Sequence, residues 1–128
     1  MSLLNAVARG LDIPKLVLIG ADNSIREITQ QFVKKIELKP IIAIKLEQLF
    51  YKKYNVNIED YSSRNAAKKV DIPTLVIHDS NDKFVPVSSA ITIRQSLKNG
   101  ELLITNGLGH HKIFKDNFVI QRIIDFIQ

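Results

Sequence analysis

The residues in this chain that are best suited to chemistry are two adjacent histidines near its C-terminal end. His110 and His111 follow a Gly-x-Gly turn in the segment ITNGLGHHKIF, and the whole sequence of 128 residues has only three histidines. Imidazole exchanges protons near neutral pH, so a histidine held by a turn after a strand can act as a general base. A surface loop that happens to carry histidine is the alternative interpretation of the same segment.

A second polar segment, HDSNDKFVP, carries the carboxylates that a catalytic histidine needs. It contains Asp79 at the end of an apolar run and Asp82 in the turn that follows. A carboxylate bonded to one imidazole nitrogen fixes the tautomer of the ring and stabilises its protonated form. Parallel strands end at the same edge of a sheet, where ligands gather in open α/β folds. An acid from this segment and a histidine from NGLGHH could therefore meet at that edge.

Three apolar segments predict the strands that would bring these residues together, and they read PKLVLIG, IPTLVIHD and ELLIT. The first two are continuously hydrophobic, which is typical of strands buried on both faces. Helical patterns alternate with the strands, and this alternation predicts a parallel sheet with right-handed crossovers. The predicted fold class is therefore α/β, with a three-stranded parallel sheet and flanking helices.

The predicted helices have start and stop residues of familiar types. Ser24 and Glu27 form the sequence pattern of a capping box at the start of DNSIREITQQFVKKIEL. Pro40 can open the next helix, Gly100 is expected to end the helix VSSAITIRQSLKNG, and Asp116 is expected to cap the terminal helix.

Residues 22–64 form the only long connection between neighbouring predicted strands. They hold two helices, and we predict that they are a cap inserted into the fold rather than a simple crossover. No linker or internal repeat divides the sequence, so residues 1–128 are expected to form a single, partial domain. Apolar side chains of the cap could line an acyl pocket, although helix packing would produce the same stripes: Phe32, Ile36, Leu46, Leu49 and Phe50.

Composition argues against several classes of protein. The chain is 45% hydrophobic and 24% charged, which is enough for a packed core. The absence of cysteine excludes disulfides and thiolate metal sites and fits a reducing, cytoplasmic compartment. The net charge is +5, but the lysines are spread along the chain in doublets, so nucleic-acid binding is not expected. The apolar runs are too short to span a bilayer and the N-terminus lacks a secretory pattern, so no membrane association is expected.

The order of these segments resembles that of the α/β-hydrolase family. IPTLVIHDSNDKFVPVSSA is similar to the acid-bearing segment of the family, and ELLITNGLGHHKIF is similar to its last strand and histidine loop. The terminal helix also matches, so the chain resembles the C-terminal half of such a hydrolase, with a two-helix cap. The resemblance implies that Asp82 is the triad acid and His110 the general base, in the family order of nucleophile, acid and histidine.

Neighbouring ionisable residues leave alternatives to this assignment. Asp79 is a rival acid, although we expect it to brace the loop. His111 is a rival base, but it lies farther from the Gly-x-Gly turn and is expected to face solvent. His78 is expected to be structural, at the edge of a buried strand. Adjacent histidines cannot easily share one ion and no acid cluster has ligand spacing, so neither a metal nor another cofactor is expected.

The sequence departs from the family at the nucleophile. The serine of the family lies in a Gly-x-Ser-x-Gly turn, and none of the five glycines here belongs to such a pattern. The resemblance implies a serine hydrolase of small ester-like substrates, of which this chain is a part, and we expect the chain alone to be inactive. A non-catalytic α/β module that binds a small ligand or a partner is the alternative function.

The first predicted strand, KLVLIG, suggests a homo-oligomer. In a complete hydrolase of this family it would lie inside the sheet, with one neighbour supplied by residues that this sequence lacks. It carries no charge after Lys15, so nothing in its sequence discourages pairing at a free edge. We expect a two-fold dimer that forms through residues 15–20 or through the N-terminal helix.

Overall fold

The three predicted strands form one parallel sheet in the computed structural model, which describes residues 3–128. They are β1 (Leu16–Ile19), β2 (Thr74–Asp79) and β3 (Gly100–Thr105), and their spatial order is β1-β2-β3. Every residue of β2 is buried, because this strand lies between the other two and is covered on both faces. The predicted α/β class, with a three-stranded parallel sheet and flanking helices, is confirmed.

Helices connect the strands and cover the sheet. Within the described part of the chain they are α1 (Leu3–Ala8), α2 (Ile25–Lys35), α3 (Ile41–Tyr54), α4 (Ser63–Ala67), α5 (Val87–Ser96), α6 (Gly109–Lys112) and α7 (Asn117–Ile127). Two 3-10 turns lie at Ile58–Tyr61 and Ile113–Lys115. Asp116 caps α7 as predicted, because its carboxylate accepts a hydrogen bond of 3.0 Å from the N–H of Val119. None of the helices in residues 3–128 has the length and apolarity needed to cross a membrane.

The side chains of β2 point alternately into two apolar clusters, one on each face of the sheet. Val76 packs in a cluster with residues of α1, α4 and α5, among them Leu4, Ala67 and Ile93. Leu75 and Ile77 pack on the other face with Ile113, Val119 and Phe126, the last two from α7. Packing on both faces fixes the relative positions of the strand ends, which carry the polar segments described above.

The long connection between β1 and β2 contains α2, α3 and the turn Ile58–Tyr61. An ion pair between Arg26 and Glu47 joins α2 to α3. A second ion pair, of 3.2 Å between Arg26 and Glu59, joins α2 to the turn. These contacts hold the segment together, and its limits as a cap at residues 22–64 stay a prediction.

Two details of the predicted helix ends are wrong. Ser24 precedes α2, but its side chain makes no capping hydrogen bond, and its N–H donates to Oδ1 of Asp22 at 3.0 Å. Gly100 does not end α5 and is instead the first residue of β3. The chain has already joined the sheet at this point, because the carbonyl of Asn99 accepts a hydrogen bond of 2.9 Å from the N–H of Thr74.

Candidate active site

The structure brings Asp82 and His110 into direct contact at the carboxyl edge of the sheet. Nδ1 of His110 lies 2.7 Å from Oδ2 of Asp82. Because a carboxylate only accepts hydrogen bonds, Nδ1 carries the proton and Nε2 is the basic nitrogen of the neutral ring. The side chain of Asp82 is 2% exposed and that of His110 is 27% exposed. The carboxylate is therefore buried beneath a ring that a ligand can still reach.

The Asp82 carboxylate is also held by its own turn. Oδ1 accepts hydrogen bonds from the N–H groups of Phe84 at 2.8 Å and Val85 at 2.9 Å. The buried His78 supports this turn, since its Nε2 lies 2.9 Å from the carbonyl oxygen of Val85. Burial acts to raise the pKa of Asp82, but the hydrogen bonds that it accepts, first from Val85 and then from His110, outweigh burial and lower it. Asp82 is thus ionised at neutral pH.

Asp79 joins the two polar loops instead of contacting a histidine ring. Its carboxylate accepts hydrogen bonds of 2.7–3.0 Å from four groups, namely the N–H groups of Asn81, Leu108 and Gly109 and the hydroxyl of Thr105. Burial acts to raise the pKa of Asp79, but these bonds, that from Gly109 foremost, lower it to about 2. Asp79 therefore braces the loop that precedes the histidine pair.

Gly20, which follows β1, lies against the His110 ring. Its φ is +60°, in the left-handed region that glycine adopts without strain. A Cβ at this position would lie 3.1 Å from Cε1 and 3.3 Å from Nδ1 of His110. A larger residue would therefore press on the ring. Sequence reasoning missed this contact, and the available signal was a glycine that ends the run KLVLIG just before a polar loop.

Aromatic rings surround the exposed part of the histidine pair. The ring of Phe84 lies 5.5 Å from that of His110 and 5.4 Å from that of His111, measured between centroids. The ring of Phe114 lies 6.5 Å from that of His110. Phe84, Phe114 and His111 are all exposed. The rival base His111 thus lies among aromatic rings, and the ring of His110 is the one paired with a carboxylate.

Two cavities lie beneath the helices of the predicted cap. The larger, of about 840 Å³, lies between α2 and α3, and the smaller, of about 540 Å³, includes Ala21, which follows Gly20. Leu46 and Phe50 line the larger cavity, and Phe50 also lines the smaller one. The other three residues of the apolar stripes, for which the sequence left a pocket role open, line neither of these cavities and are exposed: Phe32, Ile36 and Leu49.

Two histidine rings approach one oxygen of Asp82, with Nδ1 of His110 at 2.7 Å and Nε2 of His78 at 3.6 Å from Oδ2. In the described range 3–128, no group of three or more histidine, aspartate or glutamate side chains is arranged to hold a metal ion. What the pair can do chemically is accept a proton at Nε2 of His110 and stabilise the resulting positive charge with Asp82.

An acid and a histidine on the ends of neighbouring parallel strands form the arrangement found in α/β hydrolases. The chain belongs to this class, in the family described as TAP-like protein, whose model matches residues 54–128. The matched range contains β2, β3, Asp82 and His110.

Solved structures with this fold can be aligned with most of the chain. The acylaminoacyl peptidase of Pyrococcus horikoshii matches 96% of this chain and 21% of its own, with 16% identity and a TM-score of 0.66. A meta-cleavage product hydrolase of Pseudomonas fluorescens matches 97% of this chain and 59% of its own, with 16% identity and a TM-score of 0.59. Rv0554 of Mycobacterium tuberculosis matches 90% and 56%, with 15% identity and a TM-score of 0.59. At these identities the likeness shows the fold alone.

One curated relative is similar in sequence. The 2-hydroxy-6-oxononadienedioate/2-hydroxy-6-oxononatrienedioate hydrolase 2 of Pseudomonas putida is 30% identical over 70 residues, which are 54% of this chain and 24% of the relative. The chain thus spans about a quarter of that relative, and it spans about half of Rv0554.

Proposed function

We propose that this chain supplies the general base and the acid of a serine hydrolase that cleaves carboxylic esters or related acyl compounds. In this proposal Nε2 of His110 takes the proton of a serine hydroxyl as the oxygen attacks the acyl carbon, and then delivers it to the leaving group. Asp82 holds the Nδ1 proton and stabilises the imidazolium. The observation that carries the proposal is the 2.7 Å contact between Nδ1 of His110 and the buried carboxylate of Asp82.

The nucleophile in this proposal is a serine outside these 128 residues. The sequence has no Gly-x-Ser-x-Gly pattern. The sequence covers 59% of the meta-cleavage product hydrolase of similar fold, so the remaining part of a protein of that length could contain the segment with the serine. The backbone donors that stabilise the oxyanion belong beside that serine. We therefore expect that the 128-residue chain neither hydrolyses esters nor is labelled by a serine-directed phosphonate.

A protein in which a Gly-x-Ser-x-Gly segment precedes this sequence provides the test. His110→Ala should lower kcat for p-nitrophenyl butyrate by at least about a thousand-fold, because the general base is lost. His111→Ala, on the same helical turn, is the matched control and should keep kcat within about three-fold of the unchanged protein. Thermal unfolding should show that both variants are folded.

Two outcomes would contradict this proposal. Equal kcat values for His110→Ala and His111→Ala would remove the role assigned to His110. Stoichiometric phosphonate labelling of the 128-residue chain would reveal a nucleophile within it. If the extended protein hydrolyses no ester and is not labelled, the non-catalytic ligand-binding module becomes the better interpretation.

A further inference from the structure

The two cavities beneath the helices α2 and α3 adjoin each other and reach the neighbourhood of the candidate site. They share the lining residues Ile25, Phe50, Val56 and Ile58. The smaller cavity includes Ala21, the residue after the glycine that touches the His110 ring. We call the two together the cap cavities.

The charged side chains of the cap cavities carry more negative than positive charge. Arg26 and Glu47 line the larger cavity and Asp22 lines the smaller one. Arg26 also forms an ion pair with Glu59 at 3.2 Å. Among the described lining residues Arg26 carries one positive charge and Asp22 and Glu47 carry two negative charges, and Glu59, which lines neither cavity, adds a third negative charge beside Arg26.

The single cation among the described lining residues is already engaged. Nε of Arg26 donates to Oε2 of Glu47 at 3.0 Å, and Nη2 donates to the other oxygen of the same carboxylate. Nη1 faces Glu59. A bidentate pair plus a second carboxylate uses both sides of the planar guanidinium, so a third carboxylate would have to displace one already present.

We propose that the cap cavities bind the uncharged, apolar acyl chain of a neutral ester and exclude carboxylates. The idea that this acyl group belongs to a substrate rests on the proposed function, whereas the binding preference itself does not. An apolar chain gains free energy when it leaves water for walls of isoleucine, leucine, valine and aromatic side chains. A carboxylate loses its hydration there, lies near the carboxylates of Asp22, Glu47 and Glu59, and finds Arg26 occupied.

Dimethyl hexanedioate and hexanedioate are a matched pair of probes, because they share one carbon skeleton and differ in charge. Each is titrated into the full 128-residue chain labelled with ¹⁵N. The neutral diester should give saturable shifts at the amides of Ile25, Phe50 and Ile58, and the dianion should bind at least about ten-fold more weakly. The titration needs no turnover, so its failure is distinct from failure of the His110→Ala test.

Two variants test whether the charges set this preference, and a third tests where the diester binds. Glu47→Gln frees one side of Arg26 and should strengthen hexanedioate binding by about ten-fold, with diester binding changed by less than about two-fold. Glu27→Gln makes the same charge change on α2 at a residue that does not line the cavities, and should alter neither affinity. Phe50→Ser should weaken diester binding by about ten-fold, because Phe50 lines both cavities.

Three results would overturn the proposal. Affinities of hexanedioate and the diester that agree within about two-fold would remove the charge preference. An effect of Glu27→Gln on hexanedioate affinity equal to that of Glu47→Gln would make net charge and not Arg26 the cause. Diester shifts that do not saturate, or that persist unchanged in Phe50→Ser, would show that the cavities are not the binding site.

Discussion

Asp79→Asn removes a buried negative charge that accepts four hydrogen bonds. The pKa of Asp79 is about 2, against an ordinary value of 3.8. One pKa unit corresponds to about 1.4 kcal/mol, so the ionised carboxylate stabilises the fold at pH 7 by about 2 kcal/mol. The new amide also points a donor at groups that are donors themselves, and each buried donor left without a partner costs about 1–2 kcal/mol. The free energy of unfolding at neutral pH should therefore fall by roughly 2–4 kcal/mol.

This loss should depend on pH in one direction. A carboxyl group whose pKa is lower in the folded than in the unfolded chain stabilises the fold above the unfolded pKa. The stabilisation is lost as the pH falls through the folded pKa. The unchanged chain should thus lose about 2 kcal/mol through Asp79 between about pH 5 and pH 2, and the variant should not. The difference in unfolding free energy between the two proteins should narrow by that amount.

Urea unfolding followed by circular dichroism, at neutral pH and at several acidic values, measures both quantities. Asp116→Asn is the matched control, because Asn caps a helix about as well as Asp, and it should change the free energy of unfolding by less than about 0.5 kcal/mol. A difference between Asp79→Asn and the unchanged chain that stays constant from neutral to acidic pH would refute the reasoning. So would a difference at neutral pH no larger than that of the control.

Three further predictions concern the pair and the sheet edge. Asp82→Asn should move the low-field NMR resonance of the Nδ1 proton of His110 upfield, because an amide oxygen accepts a weaker hydrogen bond than a carboxylate, and an unchanged resonance would mean that another acceptor holds this proton. Gly20→Ala should shift the ring resonances of His110, whereas Gly107→Ala, at φ +84° with nothing within 4 Å of its Cβ, should cost stability through backbone strain alone. The unchanged chain should sediment as a dimer, because within residues 3–128 β1 pairs only with β2 and leaves its other edge free. The N–H of Val17 faces that free edge, so Val17→Pro should sediment as a folded monomer. An unchanged chain that sediments as a monomer would remove the basis for this last expectation.

The strands could be predicted because their composition is compatible with few structures. The run IPTLVIHD is apolar on both faces of an extended chain, and β2 is buried on both faces. Helix ends were less predictable, because they depend on what the following residues do. Gly100 has the local preference of a helix terminator, but it pairs with Thr74 of β2, and the carbonyl of Asn99 accepts a hydrogen bond from the Thr74 N–H, so this part of the chain belongs to the sheet.

The position of the candidate site followed from topology, and its details did not. Parallel strands place their following loops at one edge, so an acid and a histidine could be expected to meet there. The approach of Gly20 to the His110 ring depends on a left-handed φ that composition does not reveal. The apolar stripe with Phe32 and Ile36 indicates an amphipathic helix, but periodicity alone does not say which space the stripe faces.

The two carboxylates of the acid segment differ in the donors they serve, and this difference decides what each can do. Asp79 accepts from backbone N–H groups and a hydroxyl, none of which changes charge near neutral pH. Asp82 accepts from the N–H groups of its own turn and, at its other oxygen, from the His110 ring, whose charge changes each time Nε2 gains or loses a proton. If Asp82 also held the loop that precedes His110, a change in the charge of the ring would alter the bonds that position that loop. With the tasks separated, proton transfer in the proposed reaction would strengthen or weaken the contact with Asp82 while Asp79 keeps the backbone before His110 in place, as the proposed role of a general base requires.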